Sequence, residues 1–439
     1  MKNSKIIFLT ICLFTSISAV AQHKQNRILK RTVKEKNIKR IIKTLSADDM
    51  LGRDSKKPEE IAKASAFIEA EFGKIGLQKF ENSTHFRQDF STIKIETNSI
   101  DVKIDDIQLT KNEIITISEN ENIVFNSTYS IQNIDKNTGF WENFQRLNND
   151  STSAVILVDN YHEKSFNQAY NYYSQPRIIT KRNSKKGNKI YILGHIDAKK
   201  IAANIIQNVG ALPMNNVVGI LEGKSKKEEY VIFSAHYDHL GYLATANGDS
   251  IANGADDDAS GTTAVIALAK YFKKLNNNER TLIFVAFTAE EIGGFGSQYF
   301  SKQMNPDKIM AMINIEMIGK QSKWGKNSAF MTGIERSSLG EIMQKNLVGT
   351  PFAINKDPYP EQDLFYRSDN ATLARQGVPA HSFSTDQIDS DQLYHSVDDE
   401  YESMDISNIV ATIKALAIAT KTIVSGAETP TRVDKTAVR

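Results

Sequence analysis

The 439-residue chain has one cysteine, nine prolines and two tryptophans. A single cysteine excludes a disulfide framework and any metal site built on thiolates. So few prolines, beside 23 glycines, exclude collagen-like and linker-like compositions. A surplus of one charge is missing too, since 54 Lys and Arg face 52 Asp and Glu. A nucleic-acid binder would carry a concentrated positive excess. The basic stretch 24–43 reads instead as a solvated helix face. At 40% hydrophobic and 24% charged, the chain has enough apolar residues for a large core and too many for a disordered protein. Its length allows two or three domains of about 150 residues each.

Long apolar runs are scarce. The run over residues 6–17 follows Lys2 and Lys5 and precedes the small residues Ala19-Val20-Ala21. That order reads as a secretory signal peptide over 1–21, and the run falls short of the roughly 20 residues a spanning helix needs. The expectation is an exported protein, periplasmic or secreted, with no transmembrane anchor in the mature chain. Cys12 lies inside this run, where Ile11 before it argues against lipid attachment. Without Lys2 and Lys5 the basic and acidic residues balance at 52 each, and no cysteine remains.

Residues 33–79 read as helical. Ile61, Ala64, Phe67, Ile68, Phe72 and Ile75 recur at three- and four-residue spacings, and Gly76 suits a left-handed cap. Residues 91–210 turn to Asn, Ile, Thr and Ser with alternating runs at 100–107 and 114–117. They read as an inserted, strand-rich accessory domain between an N-terminal helical part, 22–90, and a main domain, 211–426, with a tail over 427–439. In the main domain, strands are expected at 230–235, 281–287, 309–315 and 378–383, a helix at 259–275, and a long closing helix at 406–424. Strands alternating with helices predict an α/β fold with a mainly parallel central sheet flanked by helices. The unbroken apolar run 281–287 suits a strand covered on both faces.

In open α/β sheets ligands bind beyond the carboxyl ends of strands. There the chain places His236-Tyr237-Asp238-His239, Glu290-Glu291 and Glu316, and two further loops hold Asp256-Asp257-Asp258 and Tyr394-His395. Singly each has a plain explanation: a packed histidine, a helix N-cap such as Asp258, a carboxylate pair at a helix start. Together they would bury many like charges, which is costly unless a cation joins them. Imidazoles and carboxylates without thiolates suit zinc, with manganese or cobalt as alternatives. Five donors exceed the three of a mononuclear catalytic zinc, and one carboxylate of the 256–258 loop can bridge two ions about 3.5–4 Å apart. Asp238, two residues beyond His236 on an extended segment, is expected to take the free ring N–H of that histidine.

His-x-Asp, Gly-Ala-x-Asp-x-Ala-Ser-Gly, Ala-Glu-Glu-x-Gly, Asn-x-acid-Met-Ile-Gly and Tyr-His follow one another between residues 235 and 399. In this order they resemble the co-catalytic zinc aminopeptidases, a family that includes glutamate carboxypeptidase-like enzymes and has animal glutaminyl cyclases as relatives. Residues 45–53 are also similar to the family's opening. The resemblance implies two zinc ions bridged by Asp257, one completed by His236 and Glu316, the other by Glu291 and His395. It further implies Glu290 as general base, Tyr394 as a donor to the developing oxyanion and Asp238 as the acid that orients His236. The implied reaction is removal of N-terminal residues from peptides with a free N-terminus. Glu316 stands where the family usually has Asp, and Asp256 and Asp258 where it often has uncharged residues. Asn370 replaces a family histidine in Arg367-Ser368-Asp369-Asn370, so that segment is given no metal role. Three rivals rank behind. A glutamate-type carboxypeptidase needs a basic pocket, which 320–336 does not supply. A glutaminyl cyclase uses one zinc, and an inactive binding module would have lost donors that are all present.

Overall fold

In the computed structural model, which describes residues 23–439 apart from 81–82, 127, 184 and 247, the chain divides into two units. One joins the residues up to Phe90 with Met214–Arg439; the other is Ser91–Pro213. The leader-like residues 1–21 lie outside the described residues.

The larger unit is built on a central sheet. Across it run Ala353–Lys356, Ser328–Met331, Ala380–Ser384, Ile309–Ile315, Lys226–His236, Arg280–Phe287 and the end of the Ile201–Leu221 strand. Lys226–His236 pairs in parallel with both Arg280–Phe287 and Ile309–Ile315, which pairs in parallel with Ala380–Ser384. Antiparallel pairing enters at Ser328–Met331 on one side and at Ile201–Leu221 on the other. The fold is thus α/β with a mainly parallel sheet. Alternation along the strands explains its burial. Val231, Phe233, Leu282, Phe284 and Ile313 face a core shared with helices Glu35–Leu45, Pro58–Ile75, Gly261–Leu275 and Ile406–Ala419. Ile232, Ile283, Val285 and Met312 face a second core on the other side.

Helix limits follow local chemistry. Pro58 opens Pro58–Ile75 at its first turn, and Gly76 (φ 79°, ψ 39°) ends it in the left-handed conformation, its N–H returning to Phe72 and Gly73. The helix expected from 259 begins at Gly261, because Ala255–Ser260 forms a wide turn in which Asp257 and Asp258 are non-helical. The single closing helix expected over 406–424 is two, Ile406–Ala419 and Lys421–Val424; the Thr420 hydroxyl between them donates to the Leu416 carbonyl. No described helix is long and apolar enough to cross a membrane.

Ser91–Pro213 is not built of strands alone. Its sheet runs Ile114–Ile117, Lys189–Leu193, Ala154–Val158, Ser130–Ile134. Helices Phe140–Asn149 and Glu163–Tyr173 pack Phe140, Phe144 and Phe166 against Ile156 and Tyr191 on one face. On the other, Val155, Leu157, Ile190 and Ile192 meet Ile123 and Ile205.

Candidate metal centre

Four parallel strands end on one side of the sheet, and the acidic and imidazole residues lie on or just past those ends. His236 is the last residue of its strand, Glu290 and Glu291 follow the Phe287 end, Glu316 follows Ile315, and the chain beyond Ser384 leads to His395. Asp257 joins them from the turn before the Gly261 helix.

The distances form two sets that share Asp257. His236 Nε2 is 3.2 Å from both Asp257 Oδ1 and Glu316 Oε1. His395 Nε2 is 3.3 Å from Asp257 Oδ2 and 3.1 Å from Glu291 Oε2. A tetrahedral ion with donors at about 2.0–2.1 Å separates them by about 3.3 Å along each edge. The spacing therefore fits one cation in each set, with one Asp257 oxygen per cation. These are the five residues the sequence motifs singled out as donors, and the fold brings them together.

Hydrogen bonds distinguish the three consecutive aspartates. Asp256 Oδ1 accepts the Gly319 N–H (2.6 Å) and Asp258 Oδ1 the N–H groups of Gly261 (3.0 Å) and Met317 (3.1 Å). Only Asp257 of the three directs both oxygens at imidazoles. Its backbone is fastened by Asp399, whose carboxylate accepts the N–H groups of Asp256 and Asp257 at 3.0–3.1 Å.

Asp238 differs from expectation. His236 Nδ1 meets the Asp238 backbone carbonyl at 3.1 Å, while the carboxylate is 3.7 Å away and accepts the Glu290 N–H at 3.1 Å. The strand ends at His236, so the two-residue alternation that would aim both side chains alike does not extend to Asp238. The ring is oriented by backbone, and the Asp238 carboxylate ties the strand end to the Glu290 loop.

Electrostatics follow from this crowding. Burial opposes charge on His236 and His395. The Glu316 and Asp257 carboxylates nevertheless raise His236 well above its ordinary value, and Asp257 and Glu291 raise His395 to about 10. Burial pushes Asp257 upward, but hydrogen bonds from His236 and His395 hold it well below the usual carboxylate range. Burial lifts Asp238 to about 6. Burial and the neighbouring Glu316, Asp369 and Glu291 push Glu290 well above the ordinary range, against the pull of His236. Acids gathered this closely call for positive charge beside them, which a cation would supply.

Three further residues contribute that the sequence motifs do not single out. His239, fully buried, puts Nδ1 2.7 Å from Glu291 Oε1 and 3.8 Å from Asp257 Oδ2. Its place at the same strand end, in His-x-Asp-His, was the signal. Ser368, in the segment given no metal role, donates to Glu316 Oε2 at 2.6 Å. Arg53 is fully buried and donates to five backbone carbonyls: Tyr237 (2.7 Å), Leu45 (2.6 Å), Asn253 (2.5 Å), Gly254 (2.9 Å) and Asp257 (3.4 Å). It ties the His236 loop to the Asp257 turn.

Beside the donors opens a pocket. Glu290 and Tyr394 face it, with Met317, Phe330, Leu364 and Ile388 as apolar lining and Asp386 and Arg367 as charged lining. The Tyr394 ring stacks on His395 at 3.8 Å, and burial raises its hydroxyl pKa, so the phenol keeps its proton.

Residues 216–420 match the sequence profile of peptidase family M28. Leucine aminopeptidase 1 of Paracoccidioides brasiliensis is 27% identical over 212 residues, 44% of this chain and 52% of that protein. Human transferrin receptor protein 2 is 24% identical over 216 residues, 44% of this chain and 25% of the receptor. The chain thus spans about half the length of the first relative and a quarter of the second. Among solved structures, the aminopeptidase from Aneurinibacillus sp. strain AM-1 superposes with a TM-score of 0.58 at 17% identity, covering 94% of this chain and 98% of that one. This is a likeness of fold.

Proposed function

From the match of residues 216–420 to peptidase family M28 we propose that the protein is a two-zinc aminopeptidase that removes N-terminal residues from peptides. One observation carries the reading: two donor sets at tetrahedral spacing share Asp257, and Glu290 faces the cavity beside them. His236, Asp257 and Glu316 would hold one zinc; Asp257, Glu291 and His395 the other. When bound, such ions lower the pKa of water and polarise a carbonyl.

The protein's own groups do the rest. Glu290, held above the usual carboxylate range, takes a proton from the attacking water and returns it to the leaving amine. Tyr394, kept protonated by burial, donates to the oxygen of the scissile carbonyl as charge develops there. The carboxylates around the donors attract the free amino group of the substrate, which favours cleavage at the N-terminus. Apolar Met317, Phe330, Leu364 and Ile388 would receive an apolar side chain. The leader-like residues 1–21 support export, with action outside the cytoplasm.

Arg367 favours a second reading. It is exposed on the same cavity and could receive a substrate carboxylate, as a glutamate-type carboxypeptidase requires. Hydrolysis of aminoacyl anilides, amino-blocked peptides and N-terminal Gln peptides, with and without chelator, separates aminopeptidase, carboxypeptidase and cyclase. Glu290→Gln should retain zinc and lose about 10²–10⁴ in turnover of an aminoacyl anilide. Near-wild-type turnover in that variant removes Glu290 from the base role.

A further inference from the structure

Glu291 and Glu316 are treated alike by the fold. Each directs one carboxylate oxygen at an imidazole of its donor set, Glu316 Oε1 at His236 and Glu291 Oε2 at His395. Each gives the other oxygen to a donor outside that pair. Ser368 Oγ donates to Glu316 Oε2 at 2.6 Å, and His239 Nδ1 lies 2.7 Å from Glu291 Oε1. We infer that His239 is a positioning residue for the second set: its Nδ1–H occupies one Glu291 oxygen, so that only the other can bind a cation. The inference rests on the two-metal reading proposed above.

The distance decides between hydrogen bond and shared ligation. Two donors on one tetrahedral zinc lie about 3.3 Å apart, as His395 does from Asp257 and Glu291. His239 is too close to Glu291 for that and, at 3.8 Å, too far from Asp257. A separation of 2.7 Å belongs to a charge-assisted hydrogen bond. The ring is held in place from behind. Its backbone N–H donates to the Arg53 carbonyl at 3.1 Å, and it packs against Gly254, where a Cβ would come within 2.6 Å of the ring. Nε2 is buried and has no hydrogen-bond partner, so Nδ1 is the nitrogen that carries the proton to Glu291.

A carboxylate confined to one oxygen leaves a coordination position open for water, whereas a free one can take up that position with its second oxygen. Groups that orient ligands in this way typically change metal affinity by about 10–100-fold. The test is calorimetric titration of chelator-stripped protein with zinc, alongside thermal unfolding of the stripped forms. Wild type should show two binding steps. His239→Leu should weaken one step about 10–100-fold and leave the other within about twofold. His239→Asn, whose amide nitrogen falls near the Nδ1 position, should recover most of the loss, and Ser368→Ala should weaken the opposite step. Should the leucine variant fail to fold, His239→Gln, with its amide at the Nε2 position, replaces it in the comparison with His239→Asn. Two wild-type steps in His239→Leu overturn the inference while the two-metal reading stands. So does loss of one zinc even at saturation in both the Leu and Asn variants, which would make His239 a ligand. Fewer than two zinc ions in wild type overturn the two-metal reading and this inference with it.

Discussion

Replacing Arg53 tests whether the metal loops are held by one buried side chain. All five of its N–H groups reach backbone carbonyls, in the His236 loop, the Asp257 turn and the end of the Glu35–Leu45 helix. Arg53→Met keeps the apolar stem and removes every one of those bonds. An unsatisfied buried acceptor costs about 1–3 kcal/mol. Some carbonyls will find water in the space vacated, so the sum is an upper bound. Loss of one partner in a buried charged network typically costs about 3–5 kcal/mol. With an unfolding entropy of about 2.1 cal/mol/K per residue, a peptidase unit of roughly 300 residues should melt about 5–8 °C lower. The loops would also lose their registration, so zinc affinity should fall together with stability. Arg53→Lys restores the charge but not the fork of five donors, and should recover little of either. The measurements are thermal unfolding of stripped protein and zinc titration of both variants. Wild-type melting and zinc affinity in Arg53→Met would refute the reasoning; full recovery in Arg53→Lys would show that charge matters and the fork does not.

Other outcomes follow from single contacts. Asp257→Ala should release zinc more readily than Asp256→Ala or Asp258→Ala, since only Asp257 faces imidazoles with both oxygens; metal analysis giving the reverse order shows the assignment is wrong. His381, buried between the Ser337 hydroxyl and the Thr332 carbonyl at 2.8 Å each, is pulled by burial from 6.5 to about 4. The unfolded chain therefore binds this proton first as pH falls: the stability tied to neutral His381 is full above about pH 6.5, drains between 6.5 and 4, and is level below. The loss approaches about 3 kcal/mol. Denaturant midpoints of His381→Gln should lack that part of the slope, and parallel wild-type and variant curves across the window would contradict it.

What could be seen in the sequence was what depends on neighbours along the chain. The run 281–287 is apolar at every position because Leu282 and Phe284 serve one core and Ile283 and Val285 the other. Such strands are recognisable, and with them the places where they end. Since parallel strands end on the same side, His236, Glu291 and Glu316 were bound to come near one another once the fold class was read. Contacts across the chain were not visible. Arg53 meets Asn253 and Gly254 some 200 positions later, and Ser368 meets Glu316 from 52 positions away. Asp238 shows how little separates the two cases. A two-residue spacing aims side chains alike only while the strand lasts, and it stops at His236. The helices of the Ser91–Pro213 unit escaped because they are short, 10 and 11 residues, and their few buried aromatics sit among Asn and Gln.

The same contacts explain why a fixed positive charge and exchangeable ones coexist in this centre. The imidazoles of His236 and His395 lie against the carboxylates, and any proton an imidazole holds can be displaced when a cation binds. Arg53 cannot lose its proton in this way. If it faced the carboxylates it would compete permanently with any cation for their oxygens. Instead its five N–H groups are all taken by backbone carbonyls, so its charge acts on Asp257, Asp399 and Asp238 through space while their oxygens remain free of it. The guanidinium therefore lowers the cost of gathering acids at the strand ends without filling the positions those acids were gathered to provide.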